Sequence, residues 1–305
     1  MSDPADPKPP FRYSPLVARE PIRWPNGARV AFYLGLNIEH YRVDAPATSI
    51  FPGTAALVPD ALNYGWRDYG PRVGVWRMIE ALDELGLPAS VLLNSEVCEL
   101  YPEIIEAGVE RDWAWVAHGT TNSRLHAGFD SEQAEREALG EMLATIERAT
   151  GRRPRGWMGP ALTETFATPA LLGELGGSYL LDWCNDDQPY PLEVPGRRMI
   201  SVPYSIELND IPLFVGKSFT GPQFEQMVVD WFDQLYEDGA ATGRVMTIGI
   251  HPFIVNQPSR HRYLVNALRH IASRQEVWLT TSDEIAAHYL EHCYDGAVAT
   301  GGGAS

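Results

Sequence analysis

Cysteine is scarce in this 305-residue chain: Cys98, Cys184 and Cys293 stand singly and far apart. Three scattered thiols make no disulfide framework, and without a Cys-x-x-Cys pair a structural zinc site of that type has no support. Basic residues are also short, 24 Lys and Arg against 40 Asp and Glu, for a formal net charge of −16. Nucleic acid and anionic membrane surfaces want a basic face, so neither is expected as a partner. No apolar run approaches the length of a membrane-spanning helix. The proline-rich start lacks the basic-then-apolar pattern of a secretory signal, and a reduced, cytoplasmic protein is expected. No Gly-x-Gly-x-x-Gly follows the first strand-like segment, which removes the main support for a dinucleotide fold.

What is present is an alternation of strand-like and helix-like segments. Short apolar strands are read at 29–38, 89–93, 113–117, 155–158, 179–181, 199–202, 245–250 and 277–279. Amphipathic helices are read between them at 75–85, 102–109, 130–150, 169–175, 223–236 and 263–274, with a last one opened by the capping box Thr281-Ser-Asp-Glu284. Asp130 is expected to cap the 130–150 helix and Gly151 to stop it. Parallel strands covered by helices give an α/β protein, and the length favours a distorted (β/α) barrel of about seven parallel strands over an open doubly wound sheet. Residues 1–28 read as an extended arm, 29–294 as a single barrel domain and 295–305 as a flexible tail. Two long irregular stretches, 41–70 and 182–198, have the length of functional or interface loops.

Three strands end on ionisable residues. Asn37-Ile38-Glu39 closes the first, and period two puts Asn37 and Glu39 on one face. His118 closes 113–117 ahead of Gly119, with Asn122 four residues on, and His251-Pro252 closes 245–250. In a barrel the C-terminal strand ends open onto one face, so these residues converge although distant in sequence. Each alone also fits a packed structural residue. Asp182, at the end of 179–181, is placed to face the same pocket, whereas Asp186 and Asp187 read as a solvated acidic loop. Residues 204–210 form a further polar and aromatic segment just past a strand.

These pieces resemble the polysaccharide deacetylase superfamily, and more closely its metal-independent allantoinase-like branch. The resemblance runs from about Trp24 to Tyr289. Trp24-Pro25-Asn26-Gly27-Ala28-Arg29-Val30-Ala31 is similar to that branch's approach to the first strand. Gly156-Trp157-Met158-Gly159-Pro160 looks like its third motif, and Asp182-Trp183 with Asp186-Asp187-Gln188-Pro189-Tyr190 like its fourth. Tyr204, Asn209 and Asp210 resemble its Tyr…Asn-Asp element, and His251-Pro252 its last motif. The departures matter as well. Metal-using deacetylases carry Asp-x-Asp where this chain has Asn37-Ile38-Glu39, and His-x-x-x-His where it has His118…Asn122. By position the metal set becomes Glu39, His118 and Asn122, a degenerate site with room for a weakly held divalent ion such as zinc; no cofactor is otherwise expected.

The resulting expectation is a hydrolase of non-peptide carbon–nitrogen bonds, acting on a small linear or cyclic amide such as a ureide or hydantoin. Glu39 is expected as the base or water-orienting group, provided that burial raises its pKa toward working pH. His118 and His251 are expected as oxyanion stabiliser and general acid. Asn37, Asn122, Asp182 and Asp210 are expected to bind substrate, and Trp157, Trp183 and Tyr204 to wall the pocket. Two alternatives stay open at this stage, a metal-dependent sugar deacetylase and a barrel that binds a ligand without turnover. The resemblance also implies a homo-oligomer, of tetramer size, with the arm and the 41–70 loop as interface pieces.

Overall fold

The computed structural model describes residues 8–301. Among the described residues nine strands form one sheet: β1 (Val30–Ile38), β2 (Ala89–Leu93), β3 (Ala114–Ala117), β4 (Gly156–Trp157), β5 (Tyr179–Leu180), β6 (Tyr190–Pro191), β7 (Ile200–Ser201), β8 (Arg244–Ile250) and β9 (Val277–Leu279). The helices are α1 (Ala61–Tyr69), α2 (Val75–Leu85), α3 (Val97–Leu100), α4 (Pro102–Glu110), α5 (Glu132–Thr150), α6 (Thr168–Glu174), α7 (Gly221–Asp238), α8 (His261–Ala272), α9 (Ser282–His292) and α10 (Tyr294–Gly301). The sheet order is β6-β7-β5-β4-β3-β2-β1-β8, with β9 also on β1. Every pairing is parallel except β6 on β7. This is the expected deacetylase-like (β/α) barrel, curled but not closed. Among the described residues no ladder joins β8 to β7, and a single bridge, Asn209 to Gly249, spans the gap.

Alternation along the strands sorts the core into two layers. Val30, Phe32, Leu34, Leu36 and Ile38 of β1 pack outward under the helices, while Ala31 and Tyr33 face the barrel interior with Leu92, Val116, Leu181 and Val245. All nine β1 residues are buried, as a strand covered on both faces requires. Tyr204 enters the interior through the gap between β7 and β8. It does so over two glycines: a β-carbon on Gly249 would lie 2.1 Å from its hydroxyl oxygen, and one on Gly35 would lie 3.0 Å from its ring.

Most helix limits follow local chemistry. Gly86 (φ +62°) ends α2, and Gly151 (φ +73°) ends α5, both in the left-handed region that favours glycine. The cap of α5 is Ser131, whose hydroxyl accepts from the Ala134 amide, one residue beyond the expected Asp130. At α9 the Thr281 side chain accepts from the Glu284 amide, but the Glu284 carboxylate takes the Thr280 hydroxyl instead of completing the box.

Three expectations need correction. Residues 294–301 are helical, so the chain past 295 is no tail as far as Gly301, and Arg198 pairs with Asp295 at 2.5 Å; residues 302–305 lie outside the described residues, as do 1–7 of the arm. The acidic loop is not simply solvated, because Arg19 of the arm forms a half-buried fork with both oxygens of Asp186. The 41–70 stretch is not irregular throughout, since α1 occupies its second half with Asp60 accepting from the Asn63 amide as cap. No helix among the described residues is long and apolar enough to cross a membrane.

Candidate active site

The interior-facing set of β1 continues past its apolar residues to Asn37 and Glu39. On β2 the next interior position is Asn94, on β3 it is His118, and on β8 it is His251. Parallel register and sheet curvature bring these ends together. Glu39 is the hub. Its Oε1 accepts from Asn122 Nδ2 at 2.5 Å and lies 3.2 Å from His118 Nε2 and 3.3 Å from His251 Nε2. Its Oε2 accepts from the Tyr41 hydroxyl at 2.5 Å. The side chains of Glu39, His118 and His251 are 2%, 1% and 4% exposed, so water screens these contacts little.

The hydrogen bonds fix the ring tautomers. His118 Nδ1 lies 2.7 Å from the Met158 carbonyl, which can only accept, so Nδ1 carries a proton. Its Nε2 donates to Glu39 Oε1 when the ring carries a second proton there. His251 is different, because Nδ1 lies 2.6 Å from Asp210 Oδ1 and Nε2 faces Glu39. With a carboxylate on each side, the imidazolium satisfies both. The His251 amide also donates to Asp210 Oδ2 at 2.8 Å, so one residue engages both carboxylate oxygens.

Electrostatics decide the resting charges. Burial works against a charged His251, but Glu39 and Asp210 outweigh it and push its pKa up to about 10. Burial works to raise Glu39 too, but the charge of His251 and the hydrogen bonds of His118 and His251 hold it well below the usual carboxylate range. The condition attached to Glu39 as base, a pKa raised by burial, is therefore not met in the resting site. At an effective dielectric of about 20, opposite unit charges ~4 Å apart attract by roughly 4 kcal/mol, which is the size of term needed. Asp210 is lifted by burial against the pull of His251.

The degenerate metal set fails on donor chemistry. The Asn94 amide is oriented by the His40 N–H donating to its Oδ1 (2.9 Å) and by its own Nδ2 donating to the His118 carbonyl. The same Nδ2 donates to Asn122 Oδ1 at 3.0 Å, which turns the Asn122 amino group, not its oxygen, toward Glu39. A hydrogen-bond donor therefore stands where a ligand lone pair is needed. Among the described residues no three His, Cys, Asp or Glu side chains are grouped to hold a metal ion. Asn122→His is expected to create a site, because His118 Nε2 and Glu39 already face it. Cobalt(II) titration of that variant should develop d–d absorption with saturable stoichiometry, and a trace no different from the parent protein's would refute the expectation.

The remaining expected residues divide. The Asn37 amino group donates to the Ile250 carbonyl at 3.0 Å, leaving its Oδ1 buried and without a protein partner. The Tyr204 hydroxyl lies 3.4 Å from Asn37 Nδ2 and accepts from Asn209 at 3.2 Å, which places Tyr204 beside Asn37. On its other side a cavity of about 570 Å³ opens between barrel gap and arm. None of Glu39, His118 and His251 lines that cavity. Asp210 is not an independent substrate group, since both oxygens are taken by His251. Asp182 Oδ1 accepts from the Gly159 amide at 2.7 Å while Oδ2 is buried without a partner; burial, then the charge of Glu164, raises it well above the carboxylate range.

Trp157 is a correction. Met158, just past β4, joins the interior cluster, so alternation sends Trp157 outward, edge-on to His126 at 4.8 Å. Trp183 likewise packs toward the outer core and edge-on to Phe11 of the arm at 4.9 Å. Sequence reading missed Tyr41, Asn94 and Glu164. Asn94 had a findable signal, the interior position just past β2. Tyr41 and Glu164 had none of that kind, lying on loops. Burial lifts Glu164 to about 7, with Glu135 adding to it.

A curled (β/α) barrel with an ionised carboxylate between two histidines at its strand ends defines a hydrolase. Residues 67–179 match the family model for polysaccharide deacetylase. The chain is 26% identical to a Schizosaccharomyces pombe protein named as a polysaccharide deacetylase, over 89% of this chain and 93% of that one. Two solved structures are similar: a Pseudomonas aeruginosa protein titled a polysaccharide deacetylase (28% identity, TM-score 0.79, 88% of this chain and 94% of that one) and PuuE allantoinase (27%, 0.80, 89% and 94%). These similarities make the chain a deacetylase-like or allantoinase-like hydrolase of carbon–nitrogen bonds.

Proposed function

We propose that the chain hydrolyses a carbon–nitrogen bond other than a peptide bond in a small linear or cyclic amide, of the ureide or hydantoin kind. The observation that carries this is the charged pair Glu39–His251, backed by Asp210, with an amide donor at Asn122 in place of a metal ligand. Similarity to PuuE allantoinase supports the cyclic-amide class.

Amide hydrolysis needs a base for water, donors for the oxyanion and an acid for the leaving nitrogen. Glu39 takes one proton from water as the water oxygen bonds to the carbonyl carbon. Access of the amide between Glu39 and His251 weakens their attraction and so raises the basicity of the carboxylate. His251 Nε2 then gives its proton to the nitrogen as the C–N bond breaks. Protonated Glu39 returns the proton to His251, 3.3 Å away in the resting site. His118, anchored through Nδ1 on Met158, orients Glu39.

The test is turnover by chelator-stripped protein on a panel of allantoin, hydantoin and N-acetylated chitooligosaccharides. Ring opening of a cyclic amide without added metal is the expected result. Acetate release that appears with added zinc, with no ring opening, would overturn the proposal in favour of metal-assisted deacetylation.

A further inference from the structure

The segment after β1 supplies a side chain that the mechanism above leaves idle. Tyr41 is 5% exposed, and its hydroxyl is the partner of Glu39 Oε2, at 2.5 Å. Its position is built, not incidental. The guanidinium of Arg67, from α1, sits over the Tyr41 ring at 5.0 Å, and Phe253, two residues past His251, meets it edge-on at 5.8 Å. Arg67 is itself 4% exposed, donates to the Thr48 carbonyl at 2.5 Å, and leaves its Nε buried without a protein partner. An orphaned buried donor is costly to keep. The fold tolerates that cost in the contact that holds Tyr41 on Glu39.

In the resting site the donors Tyr41 Oη, Asn122 Nδ2 and His251 Nε2 all converge on one anion, the Glu39 carboxylate. During attack that charge moves. The water oxygen bonds to the carbonyl carbon, one water proton goes to Glu39, and the C=O electron pair passes to the carbonyl oxygen. Glu39 becomes neutral and the negative charge now sits on substrate, within the same ring of donors. A hydroxyl can follow by rotation about its Cζ–Oη bond.

We propose that Tyr41 is a further catalytic residue, whose hydroxyl leaves Glu39 and donates to the oxyanion while keeping its own proton. The inference rests on the amide-hydrolase reading. It makes the resting Tyr41–Glu39 contact a stand-in for the bond made in the transition state, where a donor aimed at developing charge acts most strongly.

The experiment is steady-state turnover of allantoin by full-length wild-type, Tyr41→Phe and Glu39→Gln proteins, with thermal melts of each. Phenylalanine keeps the ring under Arg67, so the melt should stay close to wild type. The expected result is a fall in kcat of about 10²–10³-fold with KM changed less than about threefold. Unchanged kcat in Tyr41→Phe, or a loss confined to KM, beside an inactive Glu39→Gln would overturn the role of Tyr41 and leave the amide-hydrolase reading standing. If wild-type protein opens no cyclic amide on the panel, the reading falls and the inference with it. A melt lowered by more than about 10 °C calls for Tyr41→Trp as well; near-wild-type kcat in that hydroxyl-free variant would likewise overturn the role.

Discussion

Glu39→Gln is expected to lower kcat by roughly 10²–10⁴-fold, the range for loss of a positioned general base. Glutamine keeps the length of the side chain and one acceptor oxygen, so the pocket keeps its shape. It cannot take a proton from water, and it cannot accept from Asn122 and Tyr41 together with two carboxylate oxygens as Glu39 does. One of those donors is left unmatched, at about 1–3 kcal/mol of stability. His251 also loses the stronger of the two carboxylate attractions that keep it protonated. The variant is thus doubly impaired, in base and in acid, while retaining its fold. Single-turnover assays and circular dichroism on the same preparation check this. Turnover within about threefold of wild type, in protein with a native spectrum, would remove Glu39 from the chemistry.

The second large effect belongs to His251. His251→Ala removes the acid and leaves two buried carboxylates, Glu39 and Asp210, without the cation between them. Breaking a buried pair by deleting one partner costs about 3–5 kcal/mol, so both activity and melting temperature should fall. The pH dependence gives the sharper check. His251 has a folded pKa raised to about 10, against an unfolded value of about 6.5. Its stabilisation is therefore full below about pH 6.5 and is lost as pH rises toward 10. The gap in stability between wild type and His251→Ala should narrow over that window. For the same reason wild-type kcat/KM should decline on the alkaline side near pH 10 as the acid is lost. Asp210→Asn removes one of the two charges that oppose burial at His251, so it should move that decline to lower pH while sparing the fold. A decline at the same pH in both proteins would show that Asp210 does not set the acid.

Legibility in the sequence tracked locality. The strand ends were readable because side-chain direction alternates with period two, so Asn37 with Glu39, His118 and His251 could be assigned to one face of one end from their own neighbours. The helix stop at Gly151 was readable for the same reason, since a left-handed residue is a local requirement. Trp157 shows the limit. Its motif was recognisable, but which of Trp157 and Met158 faced inward depended on where β4 paired with β3, at Ala117 opposite Trp157.

Other features depended on residues that no local pattern connects. Asp210 and His251 lie 41 residues apart and meet because the chain crosses the barrel gap at Asn209 and Gly249. Tyr41 stands two residues from Glu39, but the contacts that hold it come from α1 and from Phe253. The orientation of the Asn122 amide was set by Asn94, just past the end of β2. The charges of Glu39 and His251 were set by each other across the interior. By itself the sequence determined the barrel, its strand ends and the residue types available there, because periodicity and turn chemistry act over a few residues. Only the tertiary structure decided which of those groups touch, which way their donors point and which are charged, because hydrogen bonds and Coulomb interactions act over a few ångströms in space, whatever the separation along the chain.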